Sequence, residues 1–432
     1  MPSEHKQTIE QFTLGMLHKA FLIGVFPSGG DRKLCEEYLK ELHSLCDTFG
    51  LGVVAEVSCP IKKLEAATYL GTGKLQELFL EANTLGAEVI IFDDEISPHQ
   101  QKNLEKIFQR PVLDRTELII EVFAQRAQTK EAKLQIELAK IKYQFPRLKR
   151  MWTHLSRQVA GGGGYLKGEG EKQIEIDRRL LRHRINRLQK EIEEVVAQRH
   201  TQRSARVRAG IPTFAIIGYT NAGKSTLLRT LTGANVLVED KLFATLDTTT
   251  KKFVLPNRQE ILLIDTVGFI RKIPHTVVAA FKSTLEEAVH TDILIHLVDA
   301  SHPLAEEHAE AALEVLQQLG GVDHPIITVL NKVDACENAL FLTKMRIKCP
   351  KTVQISALHG TGLDHLMEVM VEEVSRLRKM VRLRIPQSHY VLVSELMKEG
   401  KVIESDYEDN DILMTVEIPA RLEHKVQSFL RS

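Results

Sequence analysis

Short apolar runs alternate with helical spacing in the first quarter of the chain. Four runs predict buried strands: Ala20–Phe26, Gly52–Val57, Val89–Phe92 and Pro111–Leu113. Between them, Leu34–Phe49 and Leu75–Leu85 carry apolar residues at helical spacing, and Ser97–Pro98 predicts the start of a third helix, because serine caps a helix and proline suits its first turn. This alternation predicts a small, mostly parallel sheet with helices on its faces.

The pattern changes between Thr116 and Arg208, where no strand is predicted. A run of helix-forming residues predicts a helix that ends at Pro146, and a second helix is predicted over Lys172–Arg199. Apolar residues in the second helix recur three or four apart: Leu181, Ile185, Leu188, Ile192 and Val195. Because such a stripe needs a partner that buries it, we expect an antiparallel helical hairpin rather than two separate surface helices.

Strand–helix alternation returns between about Ile211 and Lys379, and a short tail follows Arg384–Pro386. The tail, His389–Pro419, predicts strands joined by a tight acidic turn, in a small α+β appendix. We therefore predict an α/β multidomain protein with four parts, at residues 1–115, 116–208, 209–380 and 381–432.

Composition and charge narrow the class of protein. Of 432 residues, 43% are hydrophobic and 26% are charged, which is typical of globular proteins. The 57 Lys and Arg balance the 57 Asp and Glu, which excludes a uniformly basic nucleic-acid binder but not a basic face. The five cysteines form no Cys-x-x-Cys pair, which argues against a zinc site or a disulfide framework. The absence of a signal sequence and of an apolar run of about 20 residues predicts a cytoplasmic protein without a transmembrane segment.

A phosphate-binding motif follows the first strand of the third part. The letters GYTNAGKS occupy Gly218–Ser225, between an apolar run and a helical run, which is the setting of a P-loop. In such a loop the backbone N–H groups face phosphate, Lys224 reaches the β- and γ-phosphates, and Ser225 ligates Mg²⁺. The predicted nucleotide contacts are Gly218, Tyr219, Thr220, Asn221, Ala222, Gly223, Lys224, Ser225 and Thr226.

Three further motifs stand at the ends of apolar runs, where parallel sheets bind ligands. In DTVG, Asp265 can hold Mg²⁺ through water and the Gly268 N–H can bind the γ-phosphate. In NKVD, Asp334 can accept two hydrogen bonds from guanine, and adenine would leave it unpaired. In SAL, a backbone N–H can meet guanine O6. These motifs add Asp265, Thr266, Val267, Gly268, Asn331, Lys332, Val333, Asp334, Ser356, Ala357 and Leu358 to the predicted nucleotide site.

The segment between the P-loop and DTVG predicts a nucleotide-sensing switch. Its candidate residues are Phe243, Ala244, Thr245, Leu246 and Asp247. A switch needs a threonine that reaches both Mg²⁺ and the γ-phosphate. Thr245 is our candidate for this direct metal ligand, and spacing alone leaves Thr248, Thr249 and Thr250 as alternatives.

The catalytic equipment that these motifs predict is weak. Lys224, Thr245 and Gly268 are the expected catalytic groups, but Phe269 stands where many GTPases have a glutamine that orients water. We therefore expect slow intrinsic GTP hydrolysis that a partner stimulates. Asn221 has two interpretations: it helps to hold a monovalent cation such as K⁺, or it stabilises the loop.

At these residues the chain resembles the HflX family of GTPases, within the Obg–HflX group. LFATLD, DTVGFIRKIPH and NKVD are similar to family signatures, as are YLGTGKLQEL and FDDEISPHQQKNLE nearer the N-terminus. The resemblance implies that Thr245 is the switch threonine and that the partner is the large ribosomal subunit, in splitting or rescuing stalled ribosomes under stress. Two features depart from the family pattern. Thr248 replaces a proline, and the glycine-rich loop has Lys167, Glu169 and Lys172 in place of Arg, Pro and Thr.

Local charge supports an RNA partner. The segment Arg147–Arg208 holds 16 Lys and Arg against 7 Asp and Glu, and such a surface attracts phosphate backbones. With the resemblance, Lys167, Lys172, Arg178 and Arg179 are predicted contacts with ribosomal RNA, at a glycine-rich tip around Gly161–Gly164; no DNA contact is expected. The alternatives are a solvated helix face, and a GTP/GDP-controlled switch that acts on another RNA or protein. We expect a monomer, and we interpret Asp93–Glu95 as a structural cap rather than a metal site.

Overall fold

The structure, a computed structural model, describes residues 18–159, 167–208, 211–233, 242–243, 246, 248–272, 289–320, 324–349, 351–408, 410–419 and 422–430. It divides into two compact units. The first runs to Glu193 and includes two later segments, of which Leu242, Phe243, Leu246 and Lys272 are described. The second contains the remainder of the chain.

A four-stranded parallel sheet forms the centre of the first unit. Its elements are β1 (Lys19–Pro27), α1 (Arg32–Phe49), β2 (Gly52–Ile61), α2 (Thr72–Thr84), β3 (Val89–Phe92), α3 (Pro98–Phe108) and β4 (Val112–Asp114). The strand order is β2-β1-β3-β4, and every neighbouring pair is parallel. The predicted strands and helices of this region are confirmed. The connection reverses direction between β1 and β3, which makes that position the topological switch point of the sheet.

Local capping explains where the helices of this unit begin and end. The Asp31 carboxylate accepts hydrogen bonds from two backbone N–H groups at the start of α1, and Gly50 ends that helix with φ 96°, a conformation that glycine adopts without strain. Ser97 and Gln100 form a capping box at the start of α3, with Pro98 in the first turn. The predicted start at Ser97–Pro98 is therefore confirmed.

The helical region differs from the prediction at Pro146. One helix was expected to end there, but α4 (Arg115–Arg126) is followed by α5 (Lys130–Val159), which continues through the proline. Proline removes one helical hydrogen bond, yet contacts on both sides hold the helix. The Tyr143 hydroxyl donates to the Asp114 carboxylate at 2.8 Å, and Arg147 donates to the same carboxylate at 3.0 Å.

The expected antiparallel hairpin is confirmed by the packing of α5 against α6 (Lys167–Arg208). Leu134 and Leu138 of α5 form a buried cluster with Leu188 of α6. Glu137 pairs with Arg184 at 2.6 Å. The helix α6 is longer than the predicted Lys172–Arg199, and the boundary between the two units falls inside it, after Glu193.

A six-stranded sheet forms the centre of the second unit. Its elements are β5 (Thr213–Gly218), α7 (Lys224–Thr232), β6 (Thr249–Val254), β7 (Glu260–Asp265), β8 (Ile293–Asp299), α8 (Ala305–Gln318), β9 (Ile326–Asn331), α9 (Ala339–Lys348), β10 (Thr352–Gln354) and α10 (Leu363–Arg376). The order is β10-β9-β8-β5-β7-β6, and only β6 runs antiparallel to its neighbour. The loops that carry the predicted motifs follow β5, β7, β9 and β10, at one edge of the sheet.

The C-terminal part is a three-stranded antiparallel sheet with a helix. It comprises β11 (Arg378–Pro386), α11 (Tyr390–Glu399), β12 (Lys401–Glu408), β13 (Asp411–Pro419) and the short α12 (Glu423–Val426), in strand order β11-β13-β12. The prediction of strand structure at Tyr390–Glu399 was wrong. The segment forms a helix. Its buried side chains, Val393 and Leu396, lie three residues apart, and this spacing places both on one face of a helix. The predicted class, α/β multidomain with an α+β appendix, is confirmed.

Candidate nucleotide-binding site

Two glycines allow the phosphate loop to curl closely between β5 and α7. A Cβ atom added to Gly218 would lie 2.2 Å from the Leu297 carbonyl oxygen. Gly223 has φ 94°, and a Cβ atom there would lie 2.4 Å from Nδ2 of Asn331. Any larger residue at either position would displace the loop from the neighbouring strand ends. The loop therefore packs closely against the ends of β8 and β9, which only glycine allows at these two positions.

Lys224 is the buried cation of this loop. Its Nζ donates to the carbonyl oxygens of Gly218 at 3.1 Å and Tyr219 at 2.7 Å. Burial lowers the pKa of Lys224 to about 8, and the nearby Asp265 carboxylate acts in the opposite direction. Because its hydrogen-bond partners in the described part of the chain are backbone carbonyls, this ammonium is available to a phosphate that displaces them.

Ser225 and Asp265 form a pair that fits a hard divalent cation. The Ser225 hydroxyl donates to Oδ2 of Asp265 at 2.7 Å, and Asp265 is fully buried at the end of β7. Hydroxyl and carboxylate oxygens are ligands that Mg²⁺ prefers, and magnesium keeps several waters and substrate phosphates in its shell. The donor set therefore fits Mg²⁺. Among the described residues, no group of three or more His, Cys, Asp or Glu side chains is placed to hold a metal ion.

The segment after DTVG is bonded to the phosphate loop. Thr220 donates its backbone N–H to the Phe269 carbonyl at 2.7 Å, and Phe269 donates its own to the Gly218 carbonyl at 3.0 Å. A Cβ atom on Gly268 would lie 2.9 Å from the Lys224 ammonium. The Phe269 side chain is 2% exposed. The side chain at the usual water-orienting position therefore lies in the core.

Asn331 joins the phosphate loop to the SAL motif. Its Nδ2 donates to the Ala222 carbonyl at 2.8 Å, and its Oδ1 accepts the Ala357 N–H at 2.9 Å. Asp334 lies on the turn that follows, and a hydrogen bond from Ser356 holds the pKa of its carboxyl below the ordinary value. An ionised carboxylate at this place can accept the two donors of guanine. Lys332 pairs with Asp299 at 2.7 Å.

Three family models match consecutive parts of the chain: "GTP-binding GTPase N-terminal" at residues 36–124, "GTP-binding GTPase Middle Region" at 126–206 and "50S ribosome-binding GTPase" at 213–332. A GTP-binding protein from Sulfolobus solfataricus, solved with GDP, is 28% identical, covers 84% of this chain and 100% of its own, and has a TM-score of 0.44. GTPase HflX of Chlamydia pneumoniae is 48% identical over 95% of this chain and 88% of its own. The chain belongs to the HflX family of GTPases.

Other HflX relatives cover similar shares of the chain. GTPase HflX of Akkermansia muciniphila is 44% identical over 96% of this chain and 97% of its own. The Escherichia coli protein of the same name is 39% identical over 89% and 90%. This HflX GTPase is an enzyme that hydrolyses GTP. No helix in the described ranges is long and apolar enough to cross a membrane.

The predicted HflX switch is only partly described. Ala244, Thr245 and Asp247 lie outside the described residues, and Leu242, Phe243 and Leu246 are buried in the first unit. Phe243 packs edge-to-face on Phe123, with ring centroids 4.4 Å apart, and the Leu242 N–H donates to the Thr48 hydroxyl at 3.2 Å. The alternatives Thr249 and Thr250 lie on β6, whereas Thr248 precedes that strand.

The predicted RNA contacts of this HflX chain lie at the start of α6. The side chains of Lys167 and Lys172 and the loop Gly161–Gly164 lie outside the described part of the structure. Arg179 is exposed, but Arg178 is partly buried with its guanidinium 5.8 Å from the Phe145 ring centroid. Of these two arginines, Arg179 is the one available to a phosphate.

A group of aromatic and basic side chains beside the phosphate loop was missed from the sequence. Tyr219 stacks on His308, and the ring of His302 lies 4.3 Å from that of His308. The Arg271 backbone N–H donates to the Tyr219 hydroxyl at 2.6 Å. No spacing signals these contacts, because α8 lies far along the chain from the P-loop. His296 lies within β8 and is 1% exposed.

Proposed function

We propose that this HflX GTPase acts on the large ribosomal subunit in the cytoplasm, as a monomer, and splits or rescues stalled ribosomes under stress. Its intrinsic GTP hydrolysis is slow, and the subunit accelerates it. The observation that carries this proposal is the placement of Phe269. Its side chain is buried and its backbone is bonded to the phosphate loop, so hydrolysis needs a partner that reorders this segment.

We assign the nucleotide to the strand ends of the six-stranded sheet. The phosphates lie on the P-loop with Lys224, and the guanine lies between Asp334 and the backbone of Ser356–Leu358. Ser225 and Thr245 would hold Mg²⁺ directly and Asp265 would hold it through water, and the bound ion would neutralise charge on the phosphate oxygens. The hydrogen bond from Ser225 to buried Asp265 supports this assignment.

Two observations favour the ribosome as partner. The family model that matches residues 213–332 describes a 50S ribosome-binding GTPase. The segment Arg147–Arg208 carries nine more basic than acidic residues, as an RNA-facing surface requires. We assign Arg179, together with Lys167 and Lys172, to contacts with ribosomal RNA, and we leave out Arg178, which is partly buried against Phe145.

The test combines turnover with sedimentation. Purified large subunits should accelerate phosphate release at least about tenfold, and the protein should co-sediment with them in a non-hydrolysable GTP analogue but not in GDP. Lys224→Ala should remove turnover in both conditions. Nucleotide binding without any ribosomal effect would contradict the proposal and favour a switch that acts on another RNA or protein.

A further inference from the structure

The sheet of the first unit has two adjacent carboxylates at its topological switch point. Asp93 and Asp94 directly follow β3, and the Asp93 N–H donates to the Ile23 carbonyl of β1 at 3.0 Å. We call this pair the acidic corner. In open parallel sheets, ligands bind outside the carboxyl ends of the strands at this point. The corner is therefore where a ligand of the first unit is expected.

The acidic corner is occupied by a cation from the same chain. The Lys272 ammonium is hydrogen-bonded to Oδ1 of Asp94 and lies 3.7 Å from Oδ2 of Asp93. The ring centroid of Tyr38 lies 6.0 Å from the same ammonium. Lys272 belongs to the first unit, whereas the preceding residue, Arg271, belongs to the second. The contact therefore lies within the first unit, one residue beyond the point where the chain leaves the second.

Charge balance explains why a lysine is favoured there. Buried Arg115 already pairs with Asp93, at 2.9 Å, and with Glu41. Asp94, the neighbour of Asp93, adds a further negative charge at the corner, and the Lys272 cation lowers the repulsion between the two adjacent carboxylates. The side chain of Lys272 is 43% exposed, so its ammonium can leave the ion pair for water while buried Asp93 keeps its pairing with Arg115.

The position of Lys272 in the chain connects this contact to the nucleotide site. Gly268, whose N–H is the predicted γ-phosphate donor, lies only four residues earlier. Between them, Phe269 is bonded to the P-loop backbone and the Arg271 N–H is bonded to Tyr219. Any displacement of Gly268 by a γ-phosphate must therefore be absorbed by a short segment that is held at its far end by Lys272.

We propose that docking of Lys272 in the acidic corner opposes entry of the γ-phosphate, so that the first unit sets the preference of the enzyme for GDP over GTP. The inference rests on the proposed function. The γ-phosphate must lie between the Lys224 ammonium and Gly268, where even an added Cβ atom would be 2.9 Å from Nζ. Lys272 is a positioning residue. Because coupling between two sites is reciprocal, bound GTP weakens the docking of Lys272 by the same factor by which that docking weakens GTP binding.

The variants Lys272→Gln, Asp94→Asn and their combination test the proposal. Asp94 is chosen because Asp93 holds buried Arg115, and because asparagine keeps an acceptor for the hydrogen bond with Tyr69. Kd values for GDP and a non-hydrolysable GTP analogue are measured by fluorescent-nucleotide titration. Each single variant should shift the affinity ratio about threefold toward the GTP analogue, and the double variant should shift it no further.

Two controls define the outcome. Lys272→Arg should keep the wild-type ratio, as should Lys252→Gln, which removes an exposed lysine from β6. An unchanged ratio in both single variants, or effects that add in the double variant, would overturn the proposal.

Loss of guanine-nucleotide binding in the wild type would instead contradict the proposed function. In that event a double-mutant cycle on unfolding still tests the docking, and additive destabilisation by Lys272→Gln and Asp94→Asn would overturn it.

Discussion

The ring of Tyr219 lies flat on the imidazole of His308, with the centroids 3.7 Å apart and the planes 3° from parallel. Burial, reinforced by the nearby His302, lowers the pKa of His308 to about 3, so the imidazole is neutral at physiological pH. The Tyr219 hydroxyl also accepts the Arg271 N–H. One side chain of the P-loop therefore supports both the loop and the segment after DTVG.

Tyr219→Phe should separate these two contacts. The ring stack remains, but the Arg271 N–H loses its acceptor, which should lower the free energy of unfolding by about 1–2 kcal/mol. Tyr219→Ala also loses the stack and should destabilise by about 3–5 kcal/mol. Urea denaturation measures both, and His308→Phe serves as a control that keeps an aromatic neighbour. Equal stability of Tyr219→Phe and wild type would show that the hydroxyl contributes nothing.

Base specificity should reside in Asp334. Asparagine at this position places an N–H donor against guanine N1–H, which is also a donor. Xanthine has an oxygen in place of the N2 amine, and this oxygen can accept a hydrogen bond from the asparagine. We expect Asp334→Asn to lose GTP affinity by at least about 100-fold and to bind xanthosine triphosphate instead. Fluorescent-nucleotide titration measures both ligands, with Asp364→Asn at the start of α10 as the control. Unchanged GTP affinity in Asp334→Asn would remove the guanine assignment.

The contrast between expected and observed structure has a physical cause. The residues of the P-loop, DTVG and NKVD motifs are close in sequence, and each motif directly follows a strand. Their placement therefore follows from local spacing. The continuation of α5 through Pro146 depends on a bond from Arg147 to Asp114, 33 residues away, and Lys272 meets Asp94 across 178 residues. Such pairings are set by tertiary packing, and no local pattern in the sequence encodes them.

Potassium dependence distinguishes the two interpretations of Asn221. If its side chain helps to hold a monovalent cation beside the phosphates, KCl should stimulate turnover over NaCl at equal ionic strength. Asn221 has φ 60°, so alanine there would add backbone strain. Asn221→Gly removes the side chain without that strain and should abolish the difference between the salts. Equal wild-type rates in KCl and NaCl would leave Asn221 a loop residue.

Acid should destabilise the second unit through His296. Burial lowers the pKa of this histidine to about 4 from an ordinary 6.5, so the folded state resists a proton that the unfolded chain accepts. The contribution of His296 to the free energy of unfolding is fully present above pH 6.5. It is lost as the pH drops toward 4, by on the order of 3 kcal/mol. Urea midpoints between pH 7.5 and 4.5 should fall less in His296→Val than in wild type. If the urea midpoints of His296→Val and wild type fall equally with pH, the effect of His296 is contradicted. Glu117, whose pKa burial raises to about 7, acts in the opposite sense in both proteins.

Ribosome association should depend on the basic start of α6. Arg179 is exposed there, whereas Arg178 is partly buried against Phe145, so charge reversal at Arg179 tests RNA contact with less disturbance of packing. We expect Arg179→Glu to weaken co-sedimentation about tenfold in the GTP-analogue state and to reduce its salt dependence, because fewer counterions are released. Arg346→Glu, in the last turn of α9, makes the same charge change elsewhere.

The glycine-rich loop provides the second arm of that experiment. Ordering Gly161–Gly164 carries a large entropic cost, and a bare backbone of this kind can approach RNA closely. Replacing residues 161–170 with a short Gly-Ser turn should leave GTP binding and intrinsic hydrolysis intact while ribosome-stimulated hydrolysis falls sharply. If the shortened protein is stimulated as strongly as wild type, the loop is a connector. If Arg179→Glu and Arg346→Glu also weaken association equally, net charge rather than the tip governs binding, and the contact lies elsewhere on the chain.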